Sequence, residues 1–193
     1  MLRQAFVDHA ALVEASTDVL IAPLEAALVA ITASFRAGGK VLTLGNGGSA
    51  ADAQHFAAEL VVRYRRERGA MAAIALTVDS SALTAIANDV GFEQVFSRQI
   101  EALARPGDVV VALSTSGASP NVVRAAAVAR SVGCTVVAFT GAGVTPVAEH
   151  ADVVVAVPST DVARIQEMHE LCLHALADEL EAIHVAGDED SPA

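Results

Sequence analysis

Five short apolar runs alternate with helical patterns along this chain, and this alternation constrains the fold more than any other feature. The runs are typical of strands and cover residues 40–44, 72–77, 108–113, 134–140 and 152–157. Strands separated by helices form parallel sheets with both faces covered, so each strand is apolar along its whole length. With 193 residues, 53% of them hydrophobic, the chain is long enough for one such α/β domain and too short for two.

Both ends of the chain carry more helix than five strands need for cover. Residues 4–37 have helical periodicity, which predicts an N-terminal helical hairpin within 1–38, and a long C-terminal helix is predicted over 161–185. The αβ core lies between them at 39–160, so residues 1–186 form a single domain. The surplus helices predict packing against other subunits. The acidic tail 187–193 is predicted to be disordered.

Composition excludes several classes of partner. A formal net charge of −11 argues against nucleic acid or an anionic membrane, which both favour a basic surface. No apolar run long enough to span a bilayer and no signal peptide is evident, which predicts a soluble cytoplasmic protein. Cys134 and Cys172 belong to no metal-binding or redox spacing, so both are expected to be buried, reduced thiols.

A glycine-rich loop follows the first predicted strand. Gly45-Asn46-Gly47-Gly48-Ser49 separates that strand from a helical pattern that carries His55 and Glu59. Glycines allow close approach of the backbone, and the free N–H groups of a helix start attract anions, so the loop suits a phosphate. The alternative is a well-capped turn without a ligand, with Ser49 as N-cap and Asp52 completing a capping box.

A second polar loop follows the third predicted strand. In Ser114-Thr115-Ser116-Gly117-Ala118-Ser119-Pro120, capping explains Ser119 and Pro120 but leaves three hydroxyl side chains unexplained. These hydroxyls form a neutral cradle for a phosphate. In a doubly wound sheet of order 2-1-3-4-5, strands 1 and 3 are neighbours, and the ligand crevice opens at their carboxyl ends. The two loops together therefore predict a phosphorylated ligand. A dinucleotide site is excluded because the first loop is not Gly-x-Gly-x-x-Gly.

Two helical patterns carry candidate metal ligands or acid/base groups. His55 and Glu59 are four residues apart and share one helix face, which suits a metal, an acid/base pair, or an exposed residue beside a core histidine. Gln166, Glu170 and His174 form one stripe on the C-terminal helix. Because Gln166 and His174 are about 12 Å apart along the axis, geometry alone favours Glu170 with His174 as the pair.

The order of these motifs resembles one enzyme family. Gly45 to Ser49, His55, Glu59, Asn88-Asp89, Ser114 to Ser119 and Arg164-Ile165-Gln166-Glu167 with His174 are similar to the phosphoheptose isomerases, a branch of the sugar isomerase (SIS) fold. The resemblance covers residues 4–183. It implies conversion of sedoheptulose 7-phosphate to D-glycero-D-manno-heptose 7-phosphate through an enediol, in a homotetramer with sites at subunit interfaces. It also implies one zinc ion per subunit.

The resemblance assigns roles to particular side chains. Zinc would be held by His55, Glu59, Gln166 and His174, with Glu59 as the base and His174 as the acid; Gln166 is thus preferred to Glu170. The implied contacts to the sugar phosphate are the following: Asn46, Gly47, Gly48, Ser49, Glu59, Asn88, Asp89, Ser114, Thr115, Ser116, Ser119 and Gln166.

Two rival functions share this fold. One branch resembles the chain in its loops but binds the bacterial replication initiator and lacks the carboxylate found at Glu59. Sugar-phosphate sensors of this fold carry a separate DNA-binding domain, for which an acidic chain of 193 residues has no room. The presence of both Glu59 and His174 favours the isomerase.

Overall fold

The sheet has five parallel strands in the predicted order. A computed structural model describes residues 1–189, with side chains to residue 187. The strands are β1 (Val41–Gly45), β2 (Ala73–Ala75), β3 (Val109–Leu113), β4 (Thr135–Thr140) and β5 (Val153–Ala156), and they are arranged β2-β1-β3-β4-β5. Each pair is parallel. The predicted doubly wound sheet is therefore confirmed, and each strand lies within the run predicted for it or one residue beyond it.

Helices cover both faces of the sheet. In chain order they are α1 (Leu2–Arg36), α2 (Gly48–Val61), α3 (Ser80–Asp89), α4 (Ser97–Leu103), α5 (Pro120–Val132) and α6 (Val162–Glu189), with short 3-10 turns at Phe92–Gln94 and Pro146–His150. Successive strand residues point to opposite faces. Val109 and Val111 therefore join α1, α2 and α6 in one core cluster, whereas Val110 and Ala112 join α4 and α5 in the other.

The predicted N-terminal hairpin is wrong, because α1 is one helix of 35 residues. The segment contains no glycine, and Pro23 lies inside the helix without ending it. Leu20, Ala27 and Ile31 are buried at helical spacing in the core cluster that includes α6. This continuous apolar stripe holds the helix together where a turn was expected, since most helical stability in proteins comes from such packing.

Helix α1 also corrects the expectation that no segment is apolar enough for a membrane span. By length and composition α1 could cross a membrane, with a hydropathy of 1.7 in its most apolar window. A core helix meets the same two criteria, and α1 packs on α6 and the sheet. Only 22% of that window is buried, however, so much of the apolar surface of α1 faces away from the rest of the chain.

Helix α6 extends past its predicted end at residue 185. It continues to Glu189, so residues 187–189 of the predicted tail are helical, while 190–193 lie outside the described residues. The predicted thiols are confirmed, because Cys134 and Cys172 are both free and buried. Burial raises the pKa of each thiol, that of Cys172 to about 11.

Candidate active site

The two polar loops meet at the carboxyl edge of the sheet. The register of β1 and β3 sets Gly45 opposite Leu113, so the loops that follow these strands start side by side. Asn46 of the first loop and Asn121 of α5 exchange two side-chain hydrogen bonds, both of 2.9 Å. The pair bridges the crevice that the strand order predicts, and it fixes the first loop against the helix that follows the second.

The first loop turns through a glycine in the left-handed region. Gly47 has a φ of 57° and caps α2, which begins at Gly48. The interpretation of Ser49 as N-cap is therefore wrong: the positive φ of Gly47 starts the helix two residues earlier, and Ser49 is buried inside its first turn. Gly48 leaves room for a neighbour, because a Cβ there would lie 2.5 Å from Nε2 of Gln166. The C-terminal helix thus contacts this loop through Gln166.

The second loop presents hydroxyl groups at the start of α5. Ser119 is the N-cap and Pro120 the first helical residue, as predicted. The Ser119 hydroxyl lies 3.1 Å from the hydroxyl of Ser114 instead of capping the helix, and the Ala118 N–H donates to Ser116 Oγ at 3.2 Å. Both arrangements keep hydroxyl oxygens beside a helix N-terminus, where donors suited to an anion converge.

Helices α2 and α6 bring four ionisable side chains together beside these loops. Helix α2 buries Ser49, Ala53, Phe56, Ala57 and Leu60, which leaves His55 and Glu59 on its flank. The distance from His55 Nε2 to Glu59 Oε1 is 3.0 Å, and that from His55 Nε2 to His174 Nε2 is 3.1 Å. The distance from His174 Nε2 to Glu59 Oε1 is 3.5 Å. His55 Nε2, Glu59 Oε1 and His174 Nε2 thus form a compact triangle of three atoms that could each bind a metal ion.

Glu170 is the fourth member of the cluster. Its Oε1 lies 3.3 Å from His174 Nε2 and 3.3 Å from His55 Nδ1. Glu170 therefore contacts the nitrogen of His55 that does not belong to the triangle. The pairing of Glu170 with His174 that spacing alone favoured is present, although the family resemblance had set Glu170 aside.

A further carboxylate, that of Asp52, lies near this cluster. Asp52 lies one turn before His55 on α2, and burial together with the charge of Glu170 raises the pKa of Asp52 to about 6, against a lowering by His55. Asp52, Glu59 and Glu170 each have one buried carboxylate oxygen without a hydrogen-bond partner in the described part of the chain. Unpaired buried carboxylate oxygens are costly, and a bound cation is one way to satisfy them.

The donor set fits a zinc ion. Bonds of about 2.0–2.1 Å in a tetrahedral site put neighbouring ligand atoms about 3.3 Å apart. The triangle of His55 Nε2, Glu59 Oε1 and His174 Nε2 has sides of 3.0, 3.1 and 3.5 Å. Two histidines and one glutamate are also a set used by catalytic zinc sites, which keep a further position open. His55, Glu170 and His174 form a second possible metal-binding group in the same place.

Comparisons with known proteins identify the family. The SIS domain family matches residues 6–141. A phosphoheptose isomerase of Paramagnetospirillum magneticum is 52% identical over 94% of this chain and 95% of its own. The chain belongs to the phosphoheptose isomerase family. Two solved structures of phosphoheptose isomerases share the fold. The one from Neisseria gonorrhoeae is 42% identical with a TM-score of 0.89, and the match covers 94% of this chain and 97% of that one. The one from Francisella tularensis is 34% identical with a TM-score of 0.90, and the match covers 93% of this chain and 95% of that one.

Not every residue implied by the phosphoheptose isomerase resemblance reaches this cluster. Gln166 lies one turn before Glu170 and contacts Gly48, between the first loop and the histidines. Asn88 and Asp89 end α3, are exposed, and hydrogen-bond each other at 2.7 Å. Thr115 is half-buried and Ser116 exposed. The structure thus joins His55, Glu59 and His174 directly, and the functional roles of all these residues stay predictions.

The structure also adds residues that the sequence analysis missed. The side chain of Tyr64 stacks on His174, with ring centroids 5.3 Å apart and an interplanar angle of 20°. Glu181, fully buried on α6, accepts backbone hydrogen bonds from Tyr64, Arg65 and Arg66 at 2.5, 2.8 and 2.9 Å. The Glu181 carboxylate thus holds the turn that carries Tyr64, and the stacked Tyr64 ring in turn limits the orientation of His174.

A sequence signal existed for only some of these missed residues. Asp52, His55 and Glu59 follow the three-and-four spacing of one helix face, so Asp52 could have been grouped with them. Asn121 is a polar residue in the first turn of a helix and could have been counted with the second loop. Nothing local relates Tyr64 to Glu181, which are 117 residues apart.

Proposed function

We propose that this chain is an aldose–ketose isomerase that converts sedoheptulose 7-phosphate to D-glycero-D-manno-heptose 7-phosphate. The observation that carries the proposal is the triangle of His55, Glu59 and His174 beside the two polar loops, in a chain 52% identical to a phosphoheptose isomerase. A binder of the replication initiator would need neither an acid nor a base. The family relationship and the intact Glu59–His174 pair favour the isomerase.

The site separates the anion from the reacting carbons. Ser114, Thr115, Ser116 and Ser119 would bind the phosphate, and His55 lies about 10 Å along α2 from Gly48. A seven-carbon sugar phosphorylated at one end can thus place its carbonyl end near the histidines. Gln166, which contacts Gly48, lies between the two ends. Asn88 and Asp89 would complete the sugar contacts.

Proton transfer falls to Glu59 and His174. Glu59 Oε1 faces both histidines, while Oε2 is buried without a hydrogen-bond partner among the described residues. In this mechanism Glu59 would remove the C1 proton of the ketose. His174 can protonate O2 as the enediol forms and take the O1 proton as the aldehyde forms, while Glu59 delivers its proton to C2. Tyr64 keeps the imidazole of His174 in place through stacking.

We propose one zinc ion per subunit, held by His55, Glu59 and His174 with Gln166 as a further ligand. When bound, zinc would polarise the substrate carbonyl and stabilise charge on the enediol oxygens. The dimensions of the triangle and the unpaired carboxylate oxygens support this assignment. Zinc content of the purified protein, set beside its activity before and after chelation, is the direct check.

We also propose a cytoplasmic homotetramer with sites at subunit interfaces. Phe6, Val19, Ile21 and Val29 expose between 51% and 79% of their surface along α1, and neighbouring copies would bury these apolar side chains. The exposed Asn88 and Asp89 could then contact a neighbouring site. Light scattering coupled to size-exclusion chromatography should give about four times the 19.7 kDa mass of one chain.

The decisive experiment removes the basicity of Glu59. Glu59→Gln keeps the size of the side chain, so the fold should survive while the rate of aldoheptose phosphate formation falls about 10²- to 10⁴-fold, the usual contribution of a general base. Glu179→Gln, an exposed residue on α6, is the matched control and should keep parental activity. A parental protein that never exchanges the C1 proton of sedoheptulose 7-phosphate with solvent would exclude the isomerase.

A further inference from the structure

The two ring nitrogens of His55 face different partners. Nε2 points into the triangle, 3.0 Å from Glu59 Oε1 and 3.1 Å from His174 Nε2, whereas Nδ1 lies 3.3 Å from Glu170 Oε1. A neutral imidazole carries its proton on one nitrogen only, and the partner of that nitrogen selects the tautomer. The choice between these two nitrogens therefore depends on Glu170.

We propose that Glu170 is a positioning residue for the zinc site, which accepts the Nδ1 proton of His55 and so presents Nε2 as the metal ligand. This inference rests on the proposed zinc binding. Carboxylates that hold the second nitrogen of a ligating histidine fix its orientation and tautomer, and they raise its basicity. Glu170 is placed for this role by the 3.3 Å ion-pair distance from its Oε1 to Nδ1 of His55, the ring nitrogen outside the triangle.

The surroundings of Glu170 keep this carboxylate directed at the cluster. The side chain is 27% exposed, and its second oxygen is buried without a hydrogen-bond partner in the described chain. Asp52 is near enough for the Glu170 charge to raise its pKa. Asp52 and Glu170 therefore both place negative charge near His55.

A competing role for Glu170 is direct metal ligation. Its Oε1 is also 3.3 Å from His174 Nε2, which is close to the spacing of two ligands of one ion. The two roles predict different effects of removing Glu170 on metal binding. Loss of a positioning carboxylate lowers metal affinity by about 10- to 100-fold and leaves the set of metal ligands unchanged. Loss of a ligand changes the coordination itself.

The test measures metal affinity in the full chain. Metal-stripped protein is titrated with zinc against a chromophoric chelator, and with cobalt(II) to read coordination from the visible spectrum. Glu170→Leu, which cannot accept a hydrogen bond, should bind zinc about 10- to 100-fold more weakly with an unchanged cobalt spectrum. Glu170→Gln retains an acceptor oxygen and should recover most of the affinity. Nitrogen-15 shifts of His55 should show Nδ1–H in the parent and a mixture of tautomers in Glu170→Leu.

Glu167→Gln is the matched control, since Glu167 also pairs with a histidine, His9, at 2.9 Å on the same helix but outside the cluster. It should bind zinc like the parent. Parental affinity in Glu170→Leu would overturn the positioning role and leave zinc binding intact. A changed cobalt spectrum would overturn it in favour of ligation. A parent that binds no zinc would overturn both the zinc proposal and this inference. If Glu170→Leu fails to fold, the Glu170→Gln affinity and the His55 shifts decide.

Discussion

Gly48→Ala should separate the stability of the fold from the function of the site. A Cβ at Gly48 would lie 2.5 Å from Nε2 and 2.9 Å from Oε1 of Gln166. The colliding atoms are the far end of a flexible side chain, and the backbone of Gly48 already begins α2. The substitution should therefore move Gln166 out of the site and leave the helix in place.

The two energetic effects of this substitution nearly cancel. Alanine favours a helix over glycine by up to about 1 kcal/mol, while a side chain forced from its rotamer loses about 0.5–1.5 kcal/mol. The melting temperature should therefore stay within about 4 °C of the parent for a domain of this size. If Gln166 makes one hydrogen bond to the substrate, its loss should lower kcat/KM by up to about tenfold.

A double-mutant cycle tests this reasoning by thermal unfolding and steady-state kinetics. In a Gln166→Ala background, Gly48→Ala should cause no further loss, because the side chain that it displaces is already absent. Gly187→Ala, a helical glycine with nothing within 4 Å of its Cβ position, controls for helix propensity. An equal loss in both backgrounds would refute the argument, since Gly48 would then act through the loop itself.

Three further predictions concern stability. Burial lowers the pKa of His169 to about 4, against a smaller raising by the Thr140 carbonyl. His169 therefore takes up a proton near pH 6.5 in the unfolded chain but stays neutral in the folded chain until about pH 4. The free energy of unfolding accordingly decreases as the pH falls from about 6.5 to 4. Urea unfolding should show a contribution of about 2 kcal/mol lost at pH 5, which His169→Gln should remove; an unaltered pH dependence in that variant would contradict the assignment. Glu181→Ala should lower the unfolding free energy by about 3–5 kcal/mol. The reason is that Arg68 loses its ion-pair partner: its side chain is fully buried, and its Nε lies 3.3 Å from Glu181. A loss below about 1 kcal/mol would show that other contacts hold the turn in place. Gly117→Ala should lower the free energy of unfolding in denaturant titrations by about 1–3 kcal/mol or more. Gly117 has a φ of 60°, and a Cβ added there would lie 2.3 Å from the Cβ of Thr145. Parental stability would mean that the loop can shift to accept the new side chain.

The strands could be predicted from sequence because each is a fully apolar run. Val109–Leu113 is buried at every position, as a strand covered on both faces must be. The helices between β2 and β3 could not be predicted in the same way. Helix α3 has no buried residue and α4 has only seven residues, so neither carries the long apolar stripe that identifies a helix in a sequence.

The candidate site was only partly predictable, for a similar reason. The meeting of the two loops follows from the strand order 2-1-3-4-5, one of the two common orders of doubly wound sheets. The alternation of elements indicates such a sheet but does not by itself choose between those orders. The triangle depends on how α2 packs against α6, which brings His55 to His174 across 119 positions. No local pattern fixes that packing, so spacing along one helix could suggest Glu170 or Gln166 but could not decide where each one lies.

The distribution of charge explains why the loops carry hydroxyl groups and no lysine. Lys40 is the only lysine in the chain, and it lies at the opposite end of β1, where it pairs with the buried Asp108 at 2.6 Å. Asp52 and Glu59 lie about 6 and 16 Å along α2 from Gly48, on either side of the screening length of about 8 Å at physiological salt. A cationic loop at that range would compete with a metal ion for these carboxylates. Neutral donors at two helix starts would suit the proposed phosphate and would leave these carboxylates to the proposed zinc ion.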